Sequence, residues 1–135
     1  MNSFAILRVS KLKSTASISR LLKHCTREAE TPNADPELTH LNTFEQGPKT
    51  AREASHLVRE LLPEKVRKNG VLAIEYVITA SPEKLASMSR GQQDAYFAAA
   101  LRWIKEKHGS QNVVSAVVHR DEKSPHMHAL VVPID

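Results

Sequence analysis

The chain is poor in several things that would otherwise set its class. It holds one cysteine, four glycines and only 4% aromatic side chains in 135 residues. No apolar run approaches the roughly 20 residues that span a bilayer. A lone Cys25 cannot close an intramolecular disulfide, so secreted disulfide scaffolds are excluded and a reducing compartment is the expected setting. Acidic residues are absent from positions 1 to 27, while Arg8, Lys11, Lys13, Arg20, Lys23 and Arg27 all fall there. What remains, 41% hydrophobic and 25% charged residues with a net charge of +4, is the balance of one ordinary globular domain.

The acid-free start admits three readings. Transit peptides are basic and poor in acids. Against that, Ser3 to Val9 alternates like a strand, and no small-residue cleavage site follows. A basic face aimed at phosphates and a plainly solvated surface stay open on charge alone.

Hydrophobic periodicity then divides the chain. Phe4, Ile6 and Arg8 interleave with Ala5, Leu7 and Val9 in a β-favouring run, which predicts a strand buried on both faces near the sheet centre. From Ser14, Ile18, Leu21, Leu22 and Cys25 recur at helical spacing, opposite Arg20, Lys23 and Arg27, with His24 on the border. Residues 31 to 49 hold Pro32, Pro36, Gly47 and Pro48 and read as a long surface loop, with Asn42 and His40 inside it. Thr50 and Glu53 make a capping-box pattern ahead of an Ala54, Leu57, Val58, Leu61 stripe. Val71 to Thr79 reads as a buried strand, Ser81-Pro82 as a short helical turn, and Ser89 with Gln92 as the cap of the longest helix, stopped by Gly109. Phe97 and Trp103 are expected in the core, and His56 and His108 at the surface. Strands at Asn112 to His119 and His126 to Val132 follow.

The order β-α-α-β-α-β-β, with a long loop between the first two helices, ends in a hairpin whose connection is too short for a crossover. An α+β fold follows, a mostly antiparallel β-sheet covered by helices. A chain that stops directly after a strand suggests an edge strand or a C-terminally truncated, longer protein.

Chemistry concentrates in that hairpin, His119-Arg120-Asp121-Glu122-Lys123-Ser124-Pro125-His126-Met127-His128. His126 and His128, two apart on a strand, share a face about 7 Å apart, and pairing brings His119 across from them. Three imidazoles beside a carboxylate fit a catalytic metal site with a position left for substrate. All-imidazole sites accept several divalent metals; an electrophilic role at a phosphate favours Mn or Mg, with Zn also compatible. Glu122 has three readings: fourth ligand, outer partner of an imidazole, or general base. Asp121 is either such an outer partner or a solvated turn carboxylate.

The string HRDEKSPHMH fills every fixed position of H-x-D-E-x-x-P-H-x-H and so resembles the metal motif of Mob/Pre plasmid mobilisation relaxases, the MobV-type group of HUH endonucleases. His24-Cys25-Thr26-Arg27 resembles the family's first motif, H-N-x-R, with Cys25 where the pattern has Asn. His40-Leu41-Asn42 is similar to its H-L-N segment, and residues 75 to 80, EYVITA, to the strand before its long helix. The likeness runs over essentially the whole chain, 1–135, read as the relaxase domain or its N-terminal part. Family members continue well past their metal motif.

The resemblance implies a HUH relaxase-like fold and a cytoplasmic, plasmid-associated enzyme. Such enzymes nick one strand of a plasmid transfer origin and remain joined to its 5′ phosphate. It implies His24 as nucleophile, with Glu122 and Arg27 as further catalytic groups. His119, His126 and His128 are the implied ligands of a divalent metal, and Glu122 a fourth. Arg27, read as one helical turn after His24, would reach a phosphate oxygen. Arg8, Lys11, Lys13, Arg20, Lys23, Arg27 and Asn42 are the implied DNA contacts, the DNA being single-stranded or locally melted. No membrane partner is implied. Two rivals remain: a histidine-triad hydrolase, which Leu130 at the third histidine position argues against, and a relaxase fragment that binds DNA without catalysis.

Overall fold

The computed structural model describes residues 5–66 and 68–133. Its elements are β1 (Ala5–Leu12), α1 (Thr15–Cys25), a 3₁₀ segment (Pro36–Leu41), β2 (Thr43–Gln46), α2 (Ala51–Leu61), β3 (Ala73–Ala80), α3 (Pro82–Ser87), α4 (Arg90–His108), a second 3₁₀ turn (Ser110–Asn112), β4 (Val113–His119) and β5 (His126–Val131). The five strands form one sheet in the order β1-β3-β5-β4-β2, with every neighbouring pair antiparallel. The α+β class and the antiparallel sheet under helices are therefore as the sequence pattern predicts.

Local chemistry explains the helix starts. Ser14, Thr50, Ser81 and Ser89 each accept a hydrogen bond from the backbone N–H three residues on, satisfying a donor that the first turn leaves orphaned. At Ser89 the box is complete, because the Gln92 side chain also accepts from the Ser89 N–H. The 19-residue α4 ends at Gly109, whose positive φ of 89° suits glycine.

The sheet carries a core on each side. Against one face, Phe97, Leu101 and Ile104 of α4 pack on Tyr76, Ile78, Ala116, Val118, Met127, Ala129 and Val131. Against the other, Ile18 and Leu22 of α1 and Ala54 and Val58 of α2 cover Ala73, Val114, Leu130 and Val132. Met127 thus points away from its two flanking histidines, as strand alternation requires.

Five expectations need correction. β1 is an edge strand, not a central one, and Leu7 and Val9 are 49% and 53% exposed because they pair with Ile78 and Tyr76 at the margin of the face that α4 covers; Ser3 and Phe4 of that predicted strand lie outside the described residues. The predicted loop at 31–49 contains a 3₁₀ segment and β2, a four-residue strand paired with β4 through a bulge. Gly47 permits the close approach there: its φ is 85°, and a Cβ would lie 2.1 Å from the Val114 carbonyl oxygen. β5, expected as a candidate edge, lies in the middle of the sheet. Trp103 is not core but 46% exposed on α4, and His108 is half-buried against the Tyr76 hydroxyl.

Candidate metal centre

The site occupies one half of the α1–α2 face. Along β5, Leu130 enters the apolar core while His128 and His126, on the same side, continue past the end of α1. β4 and β5 pair His119 with His126 directly. The ring centroids of His119, His126 and His128 then stand 4.9 to 5.4 Å apart. The hairpin thus brings the three histidine rings of the motif side by side.

Each imidazole is held by one nitrogen. His119 Nε2–H donates to the Cys25 carbonyl at 2.9 Å, His126 Nδ1–H to the Ser124 carbonyl at 2.9 Å, and His128 Nδ1–H to the Glu75 carboxylate at 2.9 Å. Those partners leave His119 Nδ1 and His128 Nε2 as lone-pair donors, while His126 Nε2 stands 3.3 Å from the Glu122 carboxylate. His119 Nδ1 and His128 Nε2 are buried without a partner, an arrangement that costs free energy unless something else accepts their lone pairs. Metal-ligating histidines are held in this way by outer acceptors. The residues therefore fit a divalent cation.

Two compact donor sets share His119: one joins His24, His119 and His128, the other His119, Glu122 and His126, with donor atoms within 4.8 Å of one another in each. His24 reaches the cluster from the last turn of α1, its ring 5.6 Å from His128 and 5.9 Å from His119. Burial lowers the pKa values of His24, His126 and His119, the last to about 3, so these rings are neutral near pH 7 and can donate lone pairs. Cys25 takes no part through its thiol. It is buried, and desolvation pushes its pKa up to about 12.

Arg27 lies beyond the helix, not one turn along it. The N–H of Glu28 bonds the Lys23 carbonyl and that of Arg27 the His24 carbonyl, a Schellman ending that puts Arg27 at φ 62°, where glycine is usual. Its guanidinium grips Asp121 through Nε at 2.9 Å and Nη2 at 2.7 Å, and Glu122 through Nη2 at 2.7 Å. Asp121 also accepts from the Thr39 hydroxyl and the Asn42 amide, and Asn42 in turn accepts from the Arg120 N–H. Burial by itself would raise Asp121, but Arg27 and these donors outweigh it and hold the carboxyl far below the usual range. Glu122 is likewise opposed by burial and held low by Arg27 and then His126, so it is ionised at neutral pH. Asp121 is thus no solvated turn carboxylate. Arg27 and Asn42 are spent on pinning the α1 terminus and the 3₁₀ segment to the hairpin.

A cleft of about 350 Å³ opens over the cluster, lined by Arg8, Ile6, Val77, Thr79, His24, Glu122, Ser124, His126 and His128. Of the predicted basic contacts, Arg8 lines it. Arg20 and Lys23 are exposed on α1, Lys13 lies exposed in the β1–α1 connection, and Lys11 belongs to the opposite face of β1. Glu75 escaped the sequence reading; its acidity inside an otherwise apolar strand was the available signal.

An antiparallel sheet carrying two histidines of an H-x-H strand, a third across the hairpin and a fourth at a helix end is an α+β domain of the relaxase type, with side chains that could hold a metal ion. The chain belongs to the Mob_Pre family of plasmid recombination enzymes, whose model matches residues 1–135. It is similar to a plasmid recombination enzyme of Bacillus thuringiensis, 33% identical over 99% of this chain and 31% of that protein. A 65 kDa protein of Zymomonas mobilis is 32% identical over 100% of this chain and 24% of its own length. The chain therefore spans a third or less of these relatives. Among solved structures it resembles the MobM relaxase domain bound to plasmid pMV158 oriT DNA in a Mn-bound crystal structure. The TM-score is 0.85 at 27% identity, covering 98% of this chain and 71% of that one. No helix among the described residues is long and apolar enough to cross a membrane.

Proposed function

We propose that residues 1–135 form the nicking part of a cytoplasmic plasmid relaxase that cuts and rejoins one DNA strand at a transfer origin. One observation carries this reading. Four imidazoles, three of them pinned through one nitrogen, gather at one end of the sheet in two compact donor sets that share His119.

His119, His126 and His128, with Glu122, would hold a divalent cation, Mn or Mg before Zn, which supplies charge to a scissile phosphate and stabilises its transition state. The protein's own steps follow from the cleft. Arg8 holds a phosphate of the bound strand at the open side. His24, neutral through burial, attacks phosphorus with a ring lone pair; the N–P bond forms, the P–O3′ bond breaks, and its electron pair leaves with the 3′ oxygen, which gains a proton. Glu122, ionised and lining the same cleft as His24, takes the proton released by the other ring nitrogen through the carboxylate oxygen that the cation does not engage. Attack by a 3′ hydroxyl on the phosphoramidate runs the sequence backward and reseals the strand. Arg27 acts indirectly, by keeping Glu122 and the end of α1 in register. Arg20 and Lys23 add phosphate contacts, so affinity falls steeply with salt.

The test uses supercoiled DNA carrying the region upstream of the gene, incubated with the purified chain and Mn²⁺ or chelator and resolved on a denaturing gel beside His24→Ala. The expected product is a protein-linked 5′ strand that is metal-dependent, acid-labile and absent with His24→Ala. DNA binding without any adduct would reduce the chain to a binding module.

A further inference from the structure

His24 is built into the metal centre more firmly than a nucleophile waiting for substrate requires. Ligands on opposite sides of a first-row divalent ion, each bonded at about 2.0 to 2.2 Å, lie at most about 4.4 Å apart. His24, His119 and His128 come close to that limit as they stand, with donor atoms within 4.8 Å, and His119, Glu122 and His126 form a second such set. The last turn of α1 also fixes His24 against the cluster. Its Cys25 carbonyl holds His119, and the Arg27 anchor closes the turn onto the hairpin. Among the described residues the His24 ring has no hydrogen-bond partner, so a lone pair is available at that position.

We propose that His24 is a ligand of the metal ion beside His119 and His128 while no DNA is bound, filling the position that a scissile phosphate later takes. Arrival of a phosphate oxygen exchanges one ligand for another: the nitrogen–metal bond breaks, an oxygen–metal bond forms, and the lone pair returns to His24, with no change of redox state and no proton moved. The same ring then faces phosphorus as the nucleophile. The idle enzyme is thereby kept from attacking stray phosphates, and DNA itself uncovers the attacking group. This inference rests on the metal-dependent reading above.

The test needs no nicking. Mn²⁺ is titrated calorimetrically into the chain and into His24→Ala without DNA, and metal-bound nitrogens are counted by pulsed EPR, with thermal unfolding in chelator as the folding control. Loss of one nitrogen and a weakening of at least about tenfold, the size already typical of losing an outer partner of a ligand, are expected for His24→Ala. In the unaltered chain, saturating Mn²⁺ should slow the acylation of His24 by diethyl pyrocarbonate, read by mass spectrometry. Unchanged affinity and nitrogen count in His24→Ala, or His24 acylation indifferent to Mn²⁺ while His128 is protected, overturns the proposal and leaves the metal site standing. No imidazole coupling in the unaltered chain overturns both.

Discussion

The two faces of the sheet use the same strands for different ends. Under α4, the inward positions of β3, β5 and β4 are apolar from one end to the other: Tyr76, Ile78, Met127, Ala129, Val131, Ala116 and Val118. Under α1 and α2 the inward row changes character halfway, from Val132 and Leu130 to His128 and His126 on β5, and from Val114 to His119 on β4. The change falls where α1 ends, at Cys25. One face therefore supplies cohesion and the other trades half of its apolar burial for unpaired nitrogens, held on rigid central strands where their positions are precise.

Substitutions can press on that division. Phe97→Ala empties a fully buried position under α4 and should cost about 4 kcal/mol in urea denaturation, while leaving Mn²⁺ affinity of the folded fraction within about twofold. A large affinity loss there would mean the faces are not separable. Asp121→Ala strikes the seam: it leaves the Arg27 guanidinium without its bidentate partner and frees Thr39 and Asn42, so a loss of about 3 kcal/mol is expected together with weaker metal binding. Glu75→Ala acts on the site alone. Mn²⁺ titration should show a loss of about 10- to 100-fold, largely recovered in Glu75→Gln, whose carbonyl can still accept from His128, with the metal-free melting temperature nearly unchanged.

The smallest effect is a pH dependence at the rim. Glu28 accepts from the Thr26 hydroxyl and then from the Ala51 N–H at the start of α2, which lowers its pKa. The folded protein thus resists protonating this group more than the unfolded chain does. Its stabilisation is complete above the ordinary carboxylate range and is lost as pH falls through the lowered folded value. Glu28→Gln should melt slightly below the unaltered chain near neutrality, by an amount that solvent screening of this exposed carboxylate keeps small, and the two melting curves should converge on acidification.

Local signals in the sequence carried the helices and the hairpin well. Caps at Thr50 and Ser89 depend on residues three apart, and H-x-H on a strand is legible because alternation is strictly local. β1 misled because an apolar alternating run looks alike whether a helix covers it or not; here Leu7 and Val9 stay open. β2 was hidden because four residues between prolines with a bulge leave no period to read. Within the site, the three hairpin histidines were visible, and the partners that orient them were not. Glu75, the Cys25 carbonyl and the Arg27–Asp121 pair are joined only by the fold, and no spacing rule reaches across such separations. Arg27 itself was misplaced because a left-handed residue just past a helix carries no mark when it is not glycine.

That same Arg27–Asp121 clasp spans 94 positions of the chain, as does the Cys25 carbonyl bond to His119. Contacts of such long sequence separation are slow to close. The pocket is complete only once the opening helix and the closing hairpin have met, so in refolding any binding of Mn²⁺ at the proposed site should trail the recovery of helical circular dichroism. A break in the chain between α2 and β3 would leave the proposed ligands His119, Glu122, His126 and His128 on the second piece and the Cys25 carbonyl and Arg27 that orient them on the first, so the second piece should bind Mn²⁺ more tightly when the first is added.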